Sequence, residues 1–190
     1  MTAADFNLKS REGALIVNNM LLVVATAIVL LGTFYPLGLE MITGARITVG
    51  PPYFDATFNP VMGILVLIMV IGPVMAWRRG ASPRVRTTIL AAAVAAMMSG
   101  IVGLAMVKEI AIGAIAAVML IGWLAAGIGA DMWAQLKPSR QFSLSARWQR
   151  LPTDVLGMWI AHFGIVVFLL GATGDHLFRS EEVVRAKPGD

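Results

Sequence analysis

With 190 residues, 58% of them hydrophobic and only 14% charged, and a mean hydropathy of +0.79, the chain is too apolar for a soluble domain. Soluble domains are about half apolar and about a quarter charged. It contains no cysteine, which excludes thiolate metal sites, disulfides and thiol redox chemistry within the chain. The formal charge of +4 sits on basic residues clustered between hydrophobic segments, a topology signal rather than a nucleic-acid surface.

The first thirteen residues lack the basic start, apolar stretch and small-residue cleavage site of a secretory signal, so the first hydrophobic segment is expected to be a retained span. A helix needs about twenty apolar residues to cross the hydrocarbon layer. Five stretches qualify: 14–38, 60–77, 88–107, 110–130 and 155–173. The expected fold class is all-α, a polytopic bundle of five transmembrane helices within residues 1–175. Asn59-Pro60 reads as an N-cap and first-turn proline opening the second span. The third and fourth spans are rich in Ala and Gly. Gly100, Gly103, Gly113, Gly122, Gly127 and Gly129 predict a tightly packed hairpin turning at Lys108-Glu109.

Lys and Arg counts alternate along the connections. Lys9 and Arg11 precede the first span, Arg46 alone occupies 39–59, and Arg78, Arg79, Arg84 and Arg86 follow the second. Lys108 marks the hairpin turn, and Lys137, Arg140, Arg147 and Arg150 occupy 131–154. The alternation predicts a cytoplasmic amino terminus and a periplasmic carboxy terminus. The aromatics Trp77, Trp133, Phe142 and Trp148 fall near predicted interfaces. The tail 176–190 starts like a strand and reaches a Pro-Gly turn signal, which predicts the beginning of an outer segment completed by further chain or a partner.

His162 lies inside the fifth predicted span, in Gly157-Met-Trp-Ile-Ala-His-Phe-Gly164. An imidazole there loses its water, and without a partner for its nitrogens the cost is several kcal/mol. Ionisable residues at bilayer depth are rare and mark functional sites by default. Hydrogen bonding across helices, proton relay, and ligation of a metal or haem iron all remain open for it. Gly157 and Gly164 flank the ring by five and two positions and are expected to make room for a flat macrocycle. His176 is fourteen residues on, about 21 Å along a continuous helix, too far to share an iron. It reads as a solvated helix-end residue beside Asp175. A second haem ligand would have to come from outside this chain.

The connection Gly44–Asp55 is expected to hold Pro51 and Pro52 in extended geometry, with Tyr53 and Phe54 at the headgroup level. Two readings stay open for it: a clamp between two spans, or a rigid platform for a flat ligand or a partner. Arg46 could pair with a haem propionate or, more safely, with Glu40. Asn18 and Asn19 are expected to cap or cross-link helices, and Asp131 to touch water or an Arg. No paired carboxylates, Ser/His/Asp set, Walker loop, dinucleotide fingerprint or HExxH supports hydrolase or nucleotide chemistry.

Three stretches are specific together: Arg11-Glu-Gly-Ala-Leu-Ile-Val-Asn-Asn19, Ile47-Thr-Val-Gly-Pro-Pro-Tyr-Phe54, and Gly157–Gly164 followed by the tail ending Lys-Pro-Gly-Asp190. Over essentially its whole length the chain resembles the carboxy-terminal part of the CcmF/NrfE family, the haem lyase subunit of system I cytochrome c maturation. The resemblance implies a bacterial inner-membrane location and haem received from a CcmE-type chaperone. It also implies attachment of haem, with CcmH/CcmI-type partners, to the CxxCH cysteines of apocytochrome c. A b-type haem held between two transmembrane histidines is implied too, with His162 matching the second of them. The WWD segment, the two outer histidines flanking it and the first transmembrane histidine lie in the amino-terminal part of such proteins and have no counterpart in this sequence. The chain is therefore expected to be a natural subunit or a piece of a lyase, inactive alone, that needs an amino-terminal partner. The competing readings are a non-catalytic structural subunit whose His162 only hydrogen-bonds a neighbouring helix, and a small transporter or channel subunit. The latter needs a polar pathway, for which the spans offer little beyond His162, Thr33 and Ser99.

Overall fold

In the computed structural model, residues 11–75, 83–106, 112–137 and 143–178 are described. They form six α-helices: α1 (Arg11–Thr43), α2 (Pro51–Ile71), α3 (Pro83–Met106), α4 (Ile112–Leu136), α5 (Leu144–Gln149) and α6 (Thr153–Phe178). All but α5 are long and apolar enough to cross a membrane. The hairpin turn at Lys108-Glu109, the basic residues Lys9, Arg78, Arg79 and Arg140, the aromatics Trp77 and Phe142, and the tail from Arg179 lie outside the described residues.

Each long helix has more residues than its predicted span, because hydropathy marks the part in hydrocarbon and helices continue past it, but α2 ends at Ile71, before the predicted end at 77, where Gly72-Pro73 turns the chain into a 3₁₀ turn. With 33 residues, α1 is about 50 Å long against a hydrocarbon layer of about 30 Å. It ends where Gly44 takes a positive φ of 70° and its N–H bonds the Glu40 carbonyl at 2.9 Å, a left-handed cap that glycine adopts at least cost.

The second helix departs most from expectation. It opens at Pro51, nine residues before the predicted Asn59-Pro60 start, so the expected 39–59 loop shrinks to residues 44–50. Pro51 and Pro52 are the first helical residues, behind an extended Gly50 cap. A proline there forfeits an N–H that has no intrahelical acceptor anyway, and its fixed φ suits a helix, so the pair starts a helix rather than enforcing extended chain. Pro60 sits inside α2, and the Asn59 side chain donates to Asp55 Oδ1 at 2.9 Å instead of capping. A second departure is α5, a short turn of helix within the predicted 131–154 connection, capped by the Ser143 hydroxyl.

The α3–α4 pair packs closely and antiparallel, as the small residues predict. Ser99 donates to the Val118 carbonyl across the pair at 3.1 Å. A Cβ added at Gly122 would collide with Ser99 Oγ and lie 2.8 Å from the Ala95 carbonyl oxygen; one at Gly100 would meet Met119, and one at Gly127 would meet Val70 of α2. Gly113 and Gly129 face open space, so their close-packing expectation fails. The core lies where α2, α3, α4 and α6 converge, around Val66, Val70, Ala92, Leu124, Ile128, Trp159 and Val166. Trp123 adds a tie from α4 to the Leu67 carbonyl of α2 at 3.3 Å. Apolar side chains such as Phe34, Met97, Ile101 and Phe168 are exposed, as lipid-facing positions require.

Candidate functional site

His162 is half-buried on α6, and its Nδ1 lies 2.8 Å from the carbonyl oxygen of Met158, one turn back. A carbonyl only accepts, so Nδ1 is the donor and carries the hydrogen. In that tautomer the lone pair lies on Nε2. This is the arrangement in which a histidine ligand is oriented by its second nitrogen.

The imidazole borders an open cleft of about 380 Å³ between the first turns of α1, the end of α2 and the first half of α6. Small-molecule and cofactor pockets fall in the range of about 300–1,000 Å³. Its walls are apolar, among them Leu22, Leu65, Ile68 and Ile165, with Pro73 from the 3₁₀ turn Gly72–Val74 that ends α2. Asn18 and His162 are the polar side chains in this lining. The cleft exists because α1 and α6 both flank the end of α2 without packing closely on each other. Asn18, expected as a cap or cross-link, instead faces the imidazole's cleft.

On its other side His162 shares a small void with Asp131, Met158 and Trp159. Asp131, expected to touch water or an Arg, is buried and accepts from Trp159 Nε1 at 2.9 Å and from Gln135 Nε2 at 2.8 Å, both at Oδ2. Sequence reading missed this pair. The available signal was a carboxylate in an apolar run together with a tryptophan three residues before the histidine.

The structure does not gather the other candidates around His162. Gly157 and Gly164 lie about 140° and 160° around α6 from His162, line neither cavity and face open space. Five- and two-residue spacings put a residue on the far side of a helix, so the room expected beside the ring is made by the splay of α1 from α6 instead. Pro51, Pro52, Tyr53 and Phe54 sit at the opposite end of α2, with Phe54 about 16 Å of helix from Leu65, the nearest cleft residue of α2. There the clamp reading matches the contacts. Tyr53 and Phe54 meet edge to face at 5.1 Å and close over Gly32 of α1, where an added Cβ would fall 2.8 Å from Tyr53. Tyr53 Oη donates to the Ile28 carbonyl at 3.1 Å. Arg46 is bound to Glu40 at 2.7 Å and is largely exposed. His176 is on the last turn of α6, but its side chain lies outside the described residues. Tyr53→Phe is expected to cost about 1 kcal/mol, the worth of one neutral hydrogen bond, read as a lower melting temperature in detergent with the His162 cleft unchanged.

The hydroxyls that a transport pathway would use are tied to backbone: Thr33 donates to the Val29 carbonyl and Ser99 to those of Ala96 and Val118. Among the described residues no cluster of three or more His, Cys, Asp or Glu could hold a bare metal ion. What the architecture defines is a multi-pass membrane protein with one imidazole facing an apolar cleft inside the bundle.

Comparison with known proteins places this class. The chain is 38% identical to the cytochrome c-type biogenesis protein CcmF of Pseudomonas fluorescens, over 97% of this chain and 28% of that protein. It is 34% identical to CycK of Rhizobium meliloti, over 95% and 27%, and 30% identical to CcmF of Escherichia coli K12, over 95% and 27%. No family model and no solved structure matches. The chain belongs to the CcmF/CycK/NrfE family of cytochrome c-type biogenesis proteins, as the counterpart of one part of its members: it spans little more than a quarter of the length of the curated relatives it matches.

Proposed function

We propose that this chain is the carboxy-terminal membrane part of a cytochrome c haem lyase, giving one axial histidine, His162, to a b-type haem. The observation that carries the reading is the imidazole itself: Nδ1 is engaged by the Met158 carbonyl and the ring borders an apolar cleft of cofactor size. The donor set fits a haem, since a macrocycle needs apolar walls and its iron needs a neutral imidazole nitrogen. When bound, such a haem supplies one-electron transfer. His162 would ligate through Nε2, Met158 would hold the ring's orientation, and Leu22, Leu65 and Ile68 would exclude water. The second ligand comes from the amino-terminal part of the lyase. Tyr53, Phe54, Pro51, Pro52 and Arg46 act as scaffold at the opposite surface, and Gly157 and Gly164 leave the far face of α6 free for neighbouring helices.

The names of the relatives support a role in cytochrome c maturation. For partners the family resemblance suggests apocytochrome c, a CcmE-type chaperone and CcmH/CcmI-type proteins. The family resemblance and the alternation of Lys and Arg counts support a bacterial inner-membrane location, with the start of α1 cytoplasmic and the end of α6 periplasmic. One observation favours the alternative of a purely structural subunit: His162 already has a hydrogen-bond partner. That partner belongs to its own helix, however, so it ties no two elements together, and Nε2 stays free of it. Co-purification of the chain with an amino-terminal CcmF-type partner tests the proposal. Stoichiometric b-type haem with a low-spin spectrum is expected, and a haem-free complex would refute it.

A further inference from the structure

Asp131 is the charged-type side chain most deeply withdrawn into the described bundle, at 6% exposure. A carboxyl group at such a place is costly unless hydrogen-bonded and marks function by default. Its bond from Trp159 Nε1 joins α4 to α6, and the indole, 4% exposed, is part of the core. His162 follows Trp159 by three positions, about 60° around the helix. Whatever fixes the azimuth of Trp159 therefore fixes the direction of the imidazole. A small rotation of α6 one way turns residue 162 into the cleft; the other way turns it toward α4. Apolar packing alone is non-directional and selects azimuth weakly, whereas an indole N–H buried among Val70, Leu124 and Ile128 has to find an acceptor.

We propose that Asp131 is a positioning residue for His162, acting through Trp159: its carboxylate oxygen holds the indole N–H and so sets the rotation of α6 that turns the imidazole toward the cleft. The inference deepens the proposed function, resting on its reading that His162 is the working residue of the cleft, but its test needs no haem. The full chain has no cysteine, so Asn18→Cys with His162→Cys places a unique thiol pair across the cleft in membranes. A short bismaleimide is expected to link α1 to α6 in this parent. Asp131→Leu or Trp159→Phe should lower the yield roughly tenfold, the population change expected from losing a hydrogen bond to a carboxylate. Asp131→Asn, which keeps an acceptor oxygen, should restore it. Folding is monitored by a second pair, Gly103→Cys with Val118→Cys, whose Cβ separation of 3.6 Å suits a disulfide between α3 and α4. Should Asp131→Leu lose that disulfide as well, Trp159→Phe, which removes the donor while keeping an aromatic ring in the core, decides. Parental cross-linking in Trp159→Phe with the control disulfide intact overturns the proposal. A haem-free complex whose cross-link responds as expected refutes the haem reading and leaves the positioning role standing.

Discussion

His162→Ala is expected to abolish the low-spin b-type spectrum of the assembled complex while leaving the helical bundle intact. The ring is only half-buried and borders a cleft already open on one side, so its removal widens that cleft instead of opening a sealed cavity. The cost to folding is therefore well below the roughly 2–5 kcal/mol of large-to-small substitutions in closed cores. Its hydrogen bond to the Met158 carbonyl is local to α6, and that carbonyl remains part of the helix when the ring is removed. On the proposed function the effect on haem is of a different order, because the iron would lose its imidazole: the cleft otherwise offers the amide of Asn18 and the thioethers of Met69 and Met158, and a thioether in place of imidazole would change the spectrum. Absorption spectra of reduced and oxidised membranes, with circular dichroism as the folding control, decide the matter. A low-spin spectrum unchanged in His162→Ala excludes the residue as ligand. His162→Gly supplemented with free imidazole should recover part of the spectrum, since the cleft is open enough to admit it.

The second large effect is expected at Gly122. Gly122→Ala puts a methyl group against Ser99 Oγ and the Ala95 carbonyl, and only the hydroxyl can rotate away. When it does, the Ser99 bond to the Val118 carbonyl is lost. If the backbones separate instead, the close contact that holds the hairpin is lost along its length. Overpacking of this kind costs about 1–3 kcal/mol, and a lost hydrogen bond adds about 1 kcal/mol. Gly129→Ala is the matched control on the same helix. Nothing lies near its added methyl, so it should be neutral or slightly stabilising, because Ala is the better helix former by up to about 1 kcal/mol. Thermal melts in detergent should separate the two variants clearly. Equal melting temperatures would show that α3 and α4 are not held at the distance described.

These two residues also mark what could be read from sequence. Five helical spans follow from hydropathy alone, because an apolar run of sufficient length has few other ways to satisfy its backbone in lipid. The α3–α4 contact follows from glycine content, yet composition cannot say which glycines touch: Gly122 does and Gly129 does not, although both lie on α4. The start of α2 is not legible because a proline pair suits both extended chain and a first helical turn, where a missing N–H costs nothing. His162 was legible as a site because burial of an imidazole is informative by itself. Its surroundings were not. Asn18 comes from a helix more than 140 positions away, and Asp131 reaches Trp159 across 28 residues, pairings that depend on how helices rotate against one another. The two flanking glycines misled for the same reason, since nearness in sequence on a helix is opposition in space at those spacings.

The attachment of α1 has a mechanical consequence. Tyr53 and Phe54 grip it at Gly32, and about 21 Å of helix away the stretch at Asn18 borders the crevice together with the 3₁₀ turn Gly72–Val74, which α1 also contacts. A rod about 50 Å long exceeds a layer of about 30 Å, and a tilt is one way to take up the excess. Tied to α2 at both places, α1 shares any such lean with the wall of the crevice that α2 supplies.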